Sequence, residues 1–411
     1  MSLLIQNIRS LVQVRETVKG PLRGKDLGVL PVLDNAYLLI EGDRIAAFGP
    51  MSESPERAGK VIDATGRMVF PCWVDSHTHL VFAASREAEF VDRINGLSYA
   101  EIAQRGGGIL NSARRLQETP EEVLLEQAWT RLQEVIGLGT GAIEIKSGYG
   151  LTPESELKML RVIRKLGEMA PIPVKATFLG AHAMPLKYRE NRSEYLRQIT
   201  QDMLPQIAGE DLADYIDVFC EKNFYSVEET ERILEAGARY GLKAKIHTNQ
   251  FHSMGGIQAA IRYNALSVDH LEVVNETEIA ALRKGKTLPV LLPTAPFFLN
   301  DEHRPPARKL IDAGLPIALA TDYNPGTTPS GRMSFVLSLA CIQLRMTPEE
   351  AVNAATVNGA FALEMGDVCG AVAKGYLANV FITKPMPSVA YLPYAFGSDL
   401  VERVVLNGQL H

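Results

Sequence analysis

Eight short apolar runs succeed one another between residues 70 and 325, and a longer stretch of mixed polarity follows most of them. The runs read FPCWVDSHTHL, GAIEIKSGYG, VKATFLGAH, YIDVFCEK, KAKIHTNQ, ALSVDHLE, LPVLLPT and IALATDYNP. Each has the length and apolar body of a buried strand. The intervening stretches include PESELKMLRVIRKLGEMA and SVEETERILEAGARYG. Their apolar residues recur at three- and four-residue steps, which predicts amphipathic helices. Eight strand–helix units predict a (β/α)8 barrel in preference to an open doubly wound sheet. A chain of 411 residues, 46% of them hydrophobic, is large enough for such a barrel with additions.

The two ends of the chain read differently. NAYLLIEGDRIAAFGP is a pair of β-rich runs with a tight turn at EGDR. LANVFITK and ERVVLNGQLH are short β-rich pieces near the C-terminus. Neither end is long enough to bury a core by itself. The expected solution pairs them, with residues 1–68 and 369–411 in one small β-sandwich domain and residues 69–368 in the barrel.

Six of the eight runs end in residues capable of chemistry: His77 and His79, Tyr149, His182, His247, His270 and Asp322. Five of the eight histidines of the chain lie there. Barrel enzymes build their sites at the C-terminal ends of the strands, so one shared site is expected. His77 and His79 alternate along a strand and leave it from the same face. Two neutral imidazoles side by side suit a metal. An exposed edge strand could show the same spacing, but the apolar body of this one favours burial. His247 alone would pass for a packed core histidine. Asp322 alone, shortly before Pro325 and Gly326, would pass for an Asx-turn or a helix cap. Together, His77, His79, His247 and Asp322 match a catalytic metal set that leaves one position for water. The absence of a cysteine ligand fits Zn or Fe in such a centre.

Other features narrow the function class. A net charge of −6, a pI near 5.9 and basic residues clustered only in pairs such as Arg114–Arg115 argue against a nucleic-acid or anionic-membrane partner. Cys72, Cys220, Cys341 and Cys369 form no CxxC pair, which predicts free thiols in a reducing cytosol. The opening MSLLIQNIRSLVQVRETVKG breaks its apolar start with Asn and Arg, so neither a signal peptide nor a membrane span is expected and the expected location is cytoplasmic. RGGGIL, residues 105–110, lacks phosphate-loop spacing and reads as a lid or turn. His252, five residues from His247, is not counted as a ligand.

The segments HTHLVFAASREAEF, IEIKSGYGL, TFLGAH, SVDHLE and ATDYNPGT resemble the amidohydrolase superfamily and, within it, the imidazolonepropionase family of histidine degradation. The resemblance covers about residues 60–365, and the HxH pair alone would indicate only the superfamily. It implies a barrel of the amidohydrolase type, a homodimer, and one divalent or trivalent metal per chain, Zn or Fe, on His77, His79, His247 and Asp322. It implies metal-dependent hydrolysis of the ring amide of 4-imidazolone-5-propanoate to N-formimidoyl-L-glutamate. Arg86 matches an arginine that binds the propionate, where a guanidinium offers a planar fork to a carboxylate. Glu87 or Glu89 could instead claim that side chain. Tyr99 and Tyr149 match substrate-contacting tyrosines. Tyr99 could equally be a helix-face core residue, whereas Tyr149 sits between glycines where packing does not require a ring. His182 matches a substrate-facing histidine, and Asn324, Gly326 and Thr327 match a loop that holds both ends of the substrate. His270, with the metal, would stabilise the oxyanion.

Gln250 departs from part of this family. Some relatives, and enzymes that deaminate nucleobase-like rings, carry Glu three residues after the strand-five histidine. An amide can hydrogen-bond substrate or water but cannot take a proton. Asp322 is therefore the expected general base, with His270 as the alternative, and Gln250 counts against ring deamination. A barrel retained as a non-catalytic module is a further alternative, against which the full metal set speaks. A second metal held by a carboxylated lysine near the end of strand four is not expected, because Lys222 lies past that run.

Overall fold

The computed structural model describes residues 2–97, 101 and 107–411. The eight apolar runs are eight strands of one parallel sheet: β1 (Trp73–Asp75), β2 (Thr140–Lys146), β3 (Val174–Ala181), β4 (Tyr215–Cys220), β5 (Lys243–Thr248), β6 (Ser267–His270), β7 (Leu288–Leu291) and β8 (Ala318–Leu319). They pair in chain order. The two helices quoted above span Pro153–Met169 and Val227–Ala238. Each begins where its sequence provides a cap. The Thr152 hydroxyl accepts the Ser155 N–H ahead of Pro153, and Ser226 and Glu229 form a reciprocal capping box.

Closure of the barrel bears directly on the site. β1 and β8 are short, and the link between them is made by residues just beyond their ends. Thr78 bridges Tyr323, the Asp322 N–H donates to the His77 carbonyl at 3.0 Å, and the His79 N–H donates to the Tyr323 carbonyl at 2.8 Å. The buried Asp75 carboxylate braces the same seam, accepting the Thr321 N–H at 3.0 Å and its hydroxyl at 2.6 Å. The segments that carry His77, His79 and Asp322 thus hold one another, so closing the barrel also assembles this side of the site.

The chain ends meet in a second, mixed sheet. From one edge its order is Gln409–Leu410, Val401–Leu406, Val380–Thr383, Met68–Pro71, Ser2–Val12, Val32–Glu41 and Arg44–Pro50, with Lys60–Asp63 also paired to Ser2–Val12. The EGDR turn sets Glu41 opposite Arg44, and Gly42 supplies the φ of +61° that the tight turn demands. Met68–Pro71 pairs with Val380–Thr383 before the chain passes through Cys72 into β1. Ile5, Ile8, Leu38, Ile40, Val380 and Val405 give this sheet a core distinct from that of the barrel. All four cysteines are free. Among the described residues no helix is long and apolar enough to cross a membrane.

Candidate active site

His77, His79 and His247 are buried, and their ligating atoms lie within 4.8 Å of one another, the one such group among the described residues. The His79 and His247 Nε2 atoms are 3.3 Å apart. Asp322 Oδ1 lies 3.6 Å from Nε2 of both His77 and His79. On the far side of the rings, His77 Nδ1 meets Asp269 Oδ2 at 2.6 Å and His247 Nδ1 meets Asp217 Oδ2 at 2.9 Å. A carboxylate only accepts, so these two rings carry their proton on Nδ1 and turn the Nε2 lone pair inward. Burial favours the ionised form of neither acid, yet His247 and Lys146 hold Asp217 well below the usual carboxylate range. Burial raises Asp269, against the pull of Lys245 and Lys146. Burial also lowers His77 and His79 well below the ordinary imidazole range, so both are neutral, as ligands must be.

The inward lone pairs of His77 and His247 and the Asp322 carboxylate repel unless a cation lies among them. His77 Nε2 has no hydrogen-bond partner although it is fully buried. A tetrahedral centre with metal–nitrogen bonds of about 2.0–2.1 Å has edges of about 3.3 Å. The separations here are close to that value, and the donor set suits Zn or Fe. The residues fit the metal that their chemistry implies.

Asp322 and His270 share an uncommon backbone. Their φ angles are +57° and +90°, both positive, the first in the left-handed region that Asp adopts more readily than most residues. Burial pushes the Asp322 carboxyl up to about 6, with His270 and His247 pulling the other way. His270 Nδ1 lies 3.3 Å from Glu272 Oε1. Burial disfavours the charged His270 ring, but Glu272, Asp322 and Asp269 outweigh it and raise its pKa. The His270 ring centroid is 5.4 Å from that of His247 and 5.8 Å from that of His77.

Around this centre the structure brings together several of the expected substrate groups. The buried Tyr149 ring lies 5.9 Å from His79 and 5.4 Å from His182. His182 Nδ1 donates to the Gly148 carbonyl at 3.2 Å, and burial lowers its pKa to about 3, so it stays neutral. Asn324 ties the loop after β8 together. Its Oδ1 accepts the N–H groups of Gly326 and Thr327, both at 2.8 Å, and its Nδ2 donates to the Asp322 carbonyl at 2.6 Å. The Thr327 hydroxyl is 3.4 Å from Asp322 Oδ2. Arg86 packs on Gly326, where a side-chain carbon would sit 2.2 Å from Nη1. Its Nε and Nη2 are engaged by Glu89 Oε2 at 2.8 and 2.5 Å, the local pairing that the sequence allowed, while Glu89 Oε1 accepts the Gly108 N–H. Gln250 is buried beyond β5. Tyr99 lies outside the described residues. His252 bonds Glu221, apart from the metal set.

Sequence reasoning missed Asp217, Asp269, Glu272 and Glu156. The first two are single acids inside apolar runs, which is itself a signal, since a buried carboxylate needs a partner. Glu156 accepts the N–H groups of Gly148, Gly150 and Leu151 and so fixes the loop that presents Tyr149.

A family described as the amidohydrolase family matches residues 68–410. The imidazolonepropionase of Flavobacterium johnsoniae is 57% identical over 411 residues, covering 100% of both chains. That of Alkaliphilus metalliredigens is 38% identical, covering 100% of this chain and 98% of its own. Among solved structures, Escherichia coli guanine deaminase superimposes with a TM-score of 0.75 at 16% identity, covering 100% of this chain and 99% of its own. A triazine hydrolase variant does so at 0.74 and 18%, covering 100% and 94%. At such identities the structural likeness speaks for the fold alone.

Proposed function

Because this chain belongs to the amidohydrolase family and is 38–57% identical over its full length to two of its imidazolonepropionases, we propose that its site opens the ring of 4-imidazolone-5-propanoate. The reaction is hydrolysis of the ring amide C–N bond, giving N-formimidoyl-L-glutamate in L-histidine degradation. The observation that carries this reading is the convergence of three imidazoles within 4.8 Å, with Asp322 Oδ1 3.6 Å from two of them and two of the rings locked from behind by carboxylates.

His77, His79 and His247 would hold one metal per chain, Zn or Fe, together with Asp322 Oδ1. When bound, that ion acts as a Lewis acid and lowers the pKa of a coordinated water. Asp322 is the general base. Its Oδ2 receives the proton of the attacking water and hands it to the departing ring nitrogen. Burial raises the affinity of the Asp322 carboxyl for a proton, which favours the first half of that exchange. His270, its Nδ1–H directed at Glu272, offers its other N–H to the carbonyl oxygen as negative charge develops. Arg86 binds the propionate, which requires a share of the guanidinium now paired with Glu89. Tyr99, Tyr149, His182, Gln250, Asn324, Gly326 and Thr327 orient the ring and the carboxylate, and that supplies proximity. Gln250 contributes a hydrogen bond and no proton transfer.

A homodimer is the family expectation, which sedimentation of the purified chain would check. Four free thiols support a cytoplasmic location. Incubation with 4-imidazolone-5-propanoate should consume the ring chromophore and yield N-formimidoyl-L-glutamate. Failure of the metal-loaded chain to open the ring, or ammonia release from a nucleobase-like ring instead, would overturn the reading.

A further inference from the structure

Five buried ionisable side chains fill the barrel beneath the metal set: Glu144 and Lys146 on β2, Asp217 on β4, Lys245 on β5 and Asp269 on β6. Lys146 Nζ lies 2.5 Å from Glu144 Oε1, 2.9 Å from Asp217 Oδ2 and 3.8 Å from Asp269 Oδ2. Lys245 pairs with the other oxygen of Glu144 and donates to the Ser76 carbonyl at 3.0 Å, and the Thr177 hydroxyl also donates to Glu144. The strand period of two stacks these groups in layers, with Glu144 below Lys146 on β2 and Lys245 below His247 on β5.

The contacts of Lys146 are specific in one respect. Asp217 Oδ2 is the atom that holds His247 Nδ1, and Asp269 Oδ2 is the atom that holds His77 Nδ1. In both acids the oxygen nearest Lys146 is the oxygen on the imidazole. Asp217 and Asp269 stand on strands separated by β5, and Lys146 reaches both from β2. Buried like charges disfavour each other strongly unless a shared cation lies between them. The ammonium holds both carboxylate oxygens in place behind the rings, where each accepts an Nδ1–H and leaves the Nε2 lone pair facing inward.

We infer that Lys146 is a positioning residue of the metal centre, a single ammonium whose contacts with Asp217 and Asp269 fix the Nδ1–H tautomers of His247 and His77. This rests on the metal reading above, and it concerns a residue that touches neither substrate nor metal.

The competing account is that Lys146 only balances charge in the core. The five groups carry two positive and three negative charges, a sum of −1. Lys146→Met makes it −2, and adding Glu144→Gln returns it to −1 without restoring the clamp. The test is Zn²⁺ affinity of the full chain by chelator competition, together with ¹⁵N shifts of the histidine rings in the metal-free protein. Lys146→Met should lose Zn²⁺ affinity by about 10- to 100-fold, and the double variant should stay equally weak, with His77 or His247 protonated on Nε2. Wild-type affinity in either variant would overturn the inference. If neither variant folds, the Lys146 ammonium resonance of the wild-type chain decides. It should shift when one equivalent of Zn²⁺ is added, and an unmoved resonance would overturn the inference. Zn²⁺ binding that survives His77→Ala in a chain otherwise unchanged would sink the metal reading itself, and this inference with it.

Discussion

Replacing Glu156 with alanine should loosen the loop that presents Tyr149 while leaving the metal centre loaded. Its buried carboxylate accepts N–H groups from Gly148 at 3.0 Å, Gly150 at 2.7 Å and Leu151 at 2.9 Å. The loop cannot easily find another fit, because a side-chain carbon on Gly150 would lie 2.4 Å from the Glu156 nitrogen and Leu151 already sits at a φ of +53°. Each buried donor left unmade costs about 1–3 kcal/mol. Three of them set an upper bound of about 9 kcal/mol, and entry of water with some loop displacement recovers part of it. The expected net loss is about 2–5 kcal/mol, a fall of about 2–6 °C in the unfolding midpoint for a chain of this length. The Gly148 carbonyl also receives His182, so both Tyr149 and His182 lose their support and KM should rise at least about tenfold. Metal content should stay at the wild-type level. Thermal unfolding, elemental analysis and steady-state kinetics read the three quantities separately. An unchanged midpoint and KM would refute this reasoning, as would loss of the metal with substrate affinity intact.

Asp322→Asn, with metal restored, should lose at least about 10²–10⁴-fold in turnover as expected of a general base, and near-normal turnover would transfer that role to His270. Gln250→Ala should lose only about 10- to 100-fold, the worth of one or two hydrogen bonds to substrate. Arg86→Ala should weaken substrate binding by about 2–4 kcal/mol and leave the metal bound; loss of metal with normal KM would show the role to be misassigned. Burial holds the Asp322 carboxyl near 6, and a bound cation favours its ionised form. Activity should therefore fall as pH drops through a value at or below about 6, and an acid limb above pH 7 would contradict Asp322 as the base.

Much of the barrel was legible because strands and helices announce themselves through local periods. All eight apolar runs became strands, and the spacing of His77 and His79 alone implied a shared face. What was hidden depends on distant partners. Asp217 and Asp269 lie 30 and 192 residues from the imidazoles they orient. Glu156 looks in sequence like an ordinary acid in the first turn of a helix, yet its hydrogen bonds run back to the preceding loop. The closing seam of the barrel likewise could not be read, since it joins residues beyond two very short strands through Asp75, Thr321 and Tyr323. The Arg86–Glu89 pair was visible as a local alternative, whereas the packing of Arg86 on Gly326 was not.

The most direct test is to strip the purified chain of metal and add Zn²⁺ back in measured steps while following ring opening of 4-imidazolone-5-propanoate. The metal-free chain should be inactive, activity should rise linearly and stop at one equivalent per chain, and His247→Ala should regain nothing at that equivalence. Full activity without metal, or a requirement for two equivalents, would contradict a single centre built from His77, His79, His247 and Asp322.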